Sequence, residues 1–240
     1  MKQLLKWGAL ALGALVALSA LVGLVFWATV PPLPDVGAEA APPPDSSVSA
    51  PELRAELLRR LALDQAVRES GFGEGTPDLS SLGGIWDLLQ QGVRMRRVDG
   101  PNTAWLKATV AERGWPTRAE VGADGRRAVF LLVQHADHDL GFQREALGPM
   151  REAVEAGDAR GSDLAYLTDR VRKAEGRPQL YGTQLHMNAG QDAFLWPVED
   201  AEAVDARRAA LGMPPLAEYL ARACEEGGMC VEWPAPEAGE

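Results

Sequence analysis

No residue from Trp7 to Val30 is charged, and Lys2 and Lys6 stand just before that run. About 20 apolar residues span a bilayer core as a helix, more than the apolar region of most secretory leaders. The run therefore reads as a transmembrane anchor over 7–30. The lysines lie on its N-terminal side, so the positive-inside tendency keeps residues 1–6 in the cytoplasm and sends the rest outward. A long cleavable leader is the alternative reading, although Phe26 and Trp27 make an awkward cleavage site. Residues 31–48 hold six prolines among Ala, Ser, Asp and Glu. That composition buries no core and reads as a spacer.

Helical periodicity begins after the spacer. Ser49-Ala-Pro-Glu52 has the form of a capping box, and a helix over about 50–69 follows, with Leu53, Leu57 and Leu61 on one side. Residues 70–84 are rich in Gly, Ser and Pro and read as a loop. A short helix around Trp86–Arg97 and a second over about 101–113 come next, the second ended by Gly114. Thr117-Arg-Ala-Glu120 is another capping box, for a single turn closed by Gly122. Ala128 to Val133 is apolar at every position. A one-sided helix cannot carry such a run, which places it at the centre of the core. Further helices are expected at about 140–156, 163–175 (capped by Ser162), 200–211 and 215–225. Residues 179–198 alternate instead and read as a β-hairpin turning at Asn188-Ala-Gly. The expected fold is mainly α: an N-terminal transmembrane helix plus a helical globular domain with one β-hairpin. It divides into a cytoplasmic tail 1–6, anchor 7–30, linker 31–48, extracytoplasmic domain 49–226 and C-terminal tail 227–240.

Charge and cysteine content narrow the partners. The 240-residue chain has a net charge of −10. Beyond the first six residues, 22 Lys and Arg face 34 Asp and Glu, a balance of −12. Such a surface is repelled by phosphate backbones, so the expected partners are the membrane, through 7–30, and an unidentified protein or envelope ligand, but no nucleic acid. Cys224 and Cys230 are separated by Glu-Glu-Gly-Gly-Met. Outside the cytoplasm two such cysteines are expected to form a disulfide, and the glycines let the chain turn back.

Polar residues cluster in three places: Gln134, His135, Asp137, His138 and Asp139 after the apolar helix; Tyr166 to Arg170; and Arg177 to Gln184 entering the hairpin. In order and spacing, Gly114-Trp-Pro116, Gln134-His-Ala-Asp137, Tyr166-Leu-Thr-Asp-Arg170, Arg177-Pro-Gln-Leu-Tyr-Gly-Thr-Gln184 and Arg207-Arg-Ala-Ala-Leu-Gly-Met-Pro-Pro-Leu216 resemble an uncharacterised bacterial family, a domain of unknown function, over about residues 51–222. The resemblance implies one domain in which these motifs meet. It supplies no catalytic role, substrate or cofactor.

Three readings of the cluster compete. In one it is an active site, with His135 as acid or base oriented by Asp169 or Asp139, and Gln134, Asp137, Arg170, Gln179, Tyr181 and Gln184 binding substrate. The chemistry would be hydrolysis or transfer on an envelope component. No Gly-x-Ser-x-Gly, catalytic-type cysteine or phosphate loop is present, and no cofactor is expected. In a second, His135, His138, Asp139 and His186 hold a metal, at a spacing that matches no zinc signature. In the third, the cluster is a satisfied buried network that specifies the fold or lines a binding groove. The third is favoured. It makes the chain a cell-envelope binding or scaffolding module, with the enzyme as the alternative.

Overall fold

The computed structural model describes residues 19–37, 47–70, 80–187 and 193–233. It is mainly helical, and the chain forms two compact units, Met1–Asp35 with Gln65–Val98, and Val36–Asp64 with Asp99–Glu240.

In the first unit, helix α1 is described over 19–29. Its C-terminal end meets side chains of the unit's later segment. Phe26 packs edge-on against Trp86, with ring centroids 5.0 Å apart. The Arg97 guanidinium lies 5.2 Å over the Trp27 ring. Gln90 Nε2 donates to Thr29 Oγ1 at 2.9 Å. These contacts bear on the expected anchor. Residues 7–18 of it lie outside the described residues, and no described helix is long and apolar enough to cross a membrane. The described part of α1 is 11 residues, about 16 Å at 1.5 Å per residue against a core of about 30 Å. The expected fold class is therefore corrected: the described chain is helical with a small hairpin and has no membrane-spanning helix. The aromatic end of the apolar run engages protein side chains.

Helix α2 (Pro51–Glu69) begins in the second unit. Ser49 does not cap it. Its N–H and its hydroxyl both donate to the Ala119 carbonyl, at 3.0 and 3.4 Å, and the Ala50 N–H donates to Glu120 O at 3.0 Å. Helix α3 (Leu82–Arg113) is one element of 32 residues where two were expected. Asp99 to Asn102 reads as a cap for a second helix over about 101–113, but this segment is helix interior and includes Pro101. The helix continues through it, and beyond the proline it buries Asn102, Thr103 and Leu106.

Helix α4 (Arg118–Gln134) starts with the expected capping box between Thr117 and Glu120. Gly122 has φ 72°, a left-handed conformation that favours glycine, and it kinks the element there. After the kink, Ala128, Val129, Phe130, Leu132 and Val133 are all buried. They form one core with Leu53 and Leu57 of α2, Leu106 of α3, Phe142, Ala146 and Met150 of α5 (Leu140–Glu155) and Leu164, Leu167 and Val171 of α6 (Gly161–Ala174). The expected Ser162 cap is not made: the N-cap of α6 is Arg160, without a side-chain bond.

The hairpin is smaller than expected. Strands β1 (Leu185–Met187) and β2 (Ala193–Leu195) pair antiparallel, Leu185 opposite Leu195. The expected turn at Asn188-Ala-Gly lies outside the described residues. A 3₁₀ turn (Ala201–Ala203), α7 (Val204–Ala210) and α8 (Leu216–Gly227) follow. Val204, Leu216 and Leu220 make a second apolar cluster, against which Leu185 and Leu195 pack.

Two glycine substitutions test this packing. A Cβ at Gly161 would collide with the Leu211 backbone carbonyl, which has no flexible end to move aside. Gly161→Ala is expected to destabilise the fold by about 1–3 kcal/mol. A Cβ at Gly92, inside α3, meets nothing within 4 Å, so Gly92→Ala is expected to stabilise by about 0.5–1 kcal/mol. Urea unfolding of both variants checks the pair, and equal effects would contradict the described packing.

Candidate functional site

Helix α2 carries an aspartate in its apolar stripe. Asp64 lies seven residues after Leu57, on the same helical face, and both are completely buried. A buried carboxylate requires a partner. It meets one 71 residues on, where the imidazole Nδ1 of His135 stands 3.0 and 2.8 Å from its two oxygens. His135 is the C-cap of α4, and its N–H donates to Leu131 O at 3.0 Å. The backbone thus fixes the ring's base while Asp64 fixes its Nδ1 edge. A carboxylate only accepts, so Nδ1 carries the proton and the Nε2 lone pair is left outward. Among the described residues Nε2 makes no hydrogen bond.

The turn after His135 is pinned by one buried amide. Gln143 Nε2 donates to the Val133 and Gln134 carbonyls, at 3.2 and 3.0 Å, and to Asp137 Oδ1 at 3.1 Å. Two orphan carbonyls of the helix end are satisfied in this way. Asp137 also takes a two-pronged ion pair from Arg170, with Nε at 2.6 Å from Oδ1 and the second nitrogen on Oδ2. Burial opposes the Asp137 charge, but Arg170, the Gln143 amide and nearby His135 outweigh it and hold the carboxyl below its usual range. Lys173 is half-buried one helical turn further along α6 and makes no ion pair among the described residues. Burial and the charge of Arg170 lower its pKa.

Asp169, its neighbour on α6, does different work. Its carboxylate is completely buried and accepts from the N–H groups of Leu180 (2.7 Å), Tyr181 (3.1 Å) and Thr183 (3.0 Å) and from the Thr183 hydroxyl (2.9 Å). Burial still pushes its pKa up. The carbonyls of the same loop go to arginines: Pro178 O to Arg172 Nε (2.6 Å), Leu180 O to Arg207 Nε (2.8 Å) and Tyr181 O to a terminal nitrogen of the fully buried Arg208 (2.5 Å). Gln179 closes the loop. Its Nε2 donates to Trp196 O at 2.6 Å, and its Oε1 accepts the Gln184 N–H at 2.8 Å. Three of the sequence motifs are thereby one interlocked structure.

A family model covers residues 51–232: the family of unknown function DUF6624. The chain belongs to that family. No curated protein and no solved structure matches it.

Within this DUF6624 domain the expected site divides. His135, Asp137 and Arg170 gather at the end of α4, whereas Asp169, Gln179 and Gln184 build the loop. His135 is held by Asp64, not by Asp169 or Asp139. Asp139 caps α5 through Phe142 N–H (2.9 Å) and pairs with Lys107 (2.6 Å). Gln134 lines a cavity of about 260 Å³ together with Arg127, Phe130 and Tyr166, and its Oε1 is buried without a donor. Tyr181 is half-buried, and among the described residues its hydroxyl makes no hydrogen bond. His138 is exposed. His186 stacks on Phe194 at 5.3 Å, and burial and Lys173 lower its pKa. Among the described residues no three His, Cys, Asp or Glu side chains gather to hold a metal. The sulfurs of Cys224 and Cys230 are bonded. Sequence reasoning missed Asp64 and Gln143, and it placed Arg208 in a motif without a role. Of the two missed, Asp64 had a signal, a carboxylate in phase with Leu57.

Two measurements follow. Removing the buried Asp169 carboxylate leaves three N–H groups without their acceptor, that of Thr183 buried, so Asp169→Ala is expected to lose on the order of 3 kcal/mol in urea unfolding. Arg170→Ala, at a partly exposed pair, should lose about 1 kcal/mol or less. Because the Asp137 pKa is lowered, its stabilisation is complete above the ordinary carboxylate pKa of about 3.9 and is lost as pH falls through the folded value. Melting temperature against pH should therefore fall less steeply below about pH 4 in Asp137→Asn than in wild type.

Proposed function

We propose that this domain is an acid–base enzyme, a hydrolase or transferase, acting outside the cytoplasm on an anionic envelope component. One observation carries the reading: a completely buried carboxylate holds Nδ1 of His135 and leaves Nε2 unpartnered among the described residues. That is the arrangement a general base requires. Nε2 would take the proton of a water or substrate hydroxyl as its oxygen attacks. Asp64 would stabilise the resulting imidazolium, which then returns the proton to the leaving group. Arg170 and the half-buried amine of Lys173, both within electrostatic reach of Asp137, would favour a substrate that carries negative charge. The Cys224–Cys230 bond fits an oxidising compartment.

A second reading, a cell-envelope binding module, draws on Asp169, Gln179 and Gln184. Their polar groups are committed to the loop, which makes the motif region architecture around a binding surface.

Turnover of a panel of chromogenic phosphate esters, carboxylate esters and glycosides separates the two. An enzyme should turn over at least one of them. His135→Gln and Asp64→Asn should then lose about 10²–10⁴-fold in rate, with His135→Gln keeping its melting temperature within a few degrees. No turnover by wild type, with a His135→Gln variant destabilised by several kcal/mol, would sink the enzyme and leave the binding module.

A further inference from the structure

Arg126 is a buried cation that makes no ion pair among the described residues. It is 8% exposed, and one terminal nitrogen donates to Pro116 O at 2.6 Å. Its Nε is buried with no acceptor, and among the described residues no carboxylate lies within ion-pairing distance. An unpaired buried guanidinium is an unfavourable arrangement that folds seldom keep without use. Arg126 lines a cavity of about 410 Å³ between α4 and the connection from α5 to α6, with Asp163 of α6 at its edge. A second buried donor without an acceptor, the Trp115 indole N–H, belongs to the same wall.

The rest of the lining agrees with these two groups. Arg118, Arg127 and Arg160 also face the cavity, against Asp124, Asp158 and Asp163. Asp124 is committed to Arg54 (Nε at 3.0 Å), outside the lining. Four guanidinium groups therefore face two available carboxylates, a local excess of positive charge in a chain of net charge −10. Asp163 takes Arg127 at 2.6 Å and Arg160 at 3.3 Å, whereas Asp158 and Asp163 act on Arg126 only through space, with no ion pair made to it among the described residues. Val129, Phe130 and Met150 supply an apolar wall. The volume lies within the range that encloses a small organic ligand, about 300–1,000 Å³.

We propose that this cavity binds a small organic oxyanion, a carboxylate or phosphate on an apolar body, with its oxygens toward Arg126 and Trp115. His135 does not line the cavity, so this site stands independently of the acid–base reading.

Calorimetric titration of the full chain tests it with phenylphosphonate, benzoate, inorganic phosphate and neutral benzyl alcohol. Phenylphosphonate or benzoate should bind saturably and more weakly at high salt, at least ten times more tightly than inorganic phosphate, and benzyl alcohol should not bind. The better of the two anions tells phosphate from carboxylate chemistry. Arg126→Met should weaken that anion at least tenfold, while without ligand it melts at or above the wild-type temperature. Arg160→Glu, at the exposed rim, should weaken binding in a folded protein even if Arg126→Met does not fold. Failure of both aromatic anions to bind at millimolar concentration, inorganic phosphate binding equally well, or unchanged affinity in Arg160→Glu would each overturn the proposal.

Discussion

The loop from Pro178 to Gln184 has almost no regular hydrogen bonding of its own, yet it lies against the interior. Every backbone group taken out of water there needs a partner. Asp169 answers for the donors, and its single carboxylate receives three N–H groups and a hydroxyl. Arginines answer for the acceptors, because a guanidinium offers several N–H groups in a fixed plane and tolerates burial against carbonyls. The placement of α6, α7 and the hairpin depends on this exchange. Asp169 sits on α6, Arg207 and Arg208 on α7, and Gln179 ties the loop's start to Trp196 beyond β2. Gly182 is part of the same constraint: its φ is 69°, and a Cβ there would stand 2.7 Å from the Leu216 side chain.

That arrangement leaves the end of α4 to be held by other means. Gln143 absorbs two of its last carbonyls, and Asp64 reaches across from α2 to His135. The consequence is chemical as well as mechanical. A histidine bonded at Nδ1 by a carboxylate has its tautomer chosen for it, and the free lone pair sits on the outward nitrogen. Asp64 and His135 meet where the end of α4 packs against α2, so helix backbone rather than a loop positions both.

Much of the local structure was legible in the sequence, and the reasons can be named. The Thr117–Glu120 box and the Gly122 stop are short-range chemistry, and both are present, although the turn and the following helix run on as one kinked element. The apolar block Ala128–Val133 has no polar face to expose, so its burial followed from composition alone. What was not legible depends on contacts between distant residues. Asp169 and Arg170 are neighbours in sequence, yet they point to different tasks because α6 turns one inward and the other to its flank. The His135 partner is 71 positions away, and neighbouring Asp139 was the nearer candidate by spacing. Asp99 to Asn102 has the residue types of a helix cap, yet α3 runs straight through it, and buried Val98, Asn102, Thr103 and Leu106 flank Pro101 in one helix. The charge-free N-terminal run was read by length and polarity alone, which carry no information about the protein side chains that meet Phe26, Trp27 and Thr29.

Buried arginines reveal how this acidic chain uses its few cations. Arg54 answers Asp124, and Arg172 answers Glu199 together with the Pro178 carbonyl. Arg208 pairs with no carboxylate among the described residues, but it binds two carbonyls, those of Pro214 and Tyr181, and lies 5.1 Å over the Tyr219 ring. Each of these has enough partners to justify leaving water. Arg126 has one carbonyl and a cavity. Burial, a single carbonyl, an Nε without an acceptor and an adjoining cavity together leave its charge directed at whatever enters the space beside it.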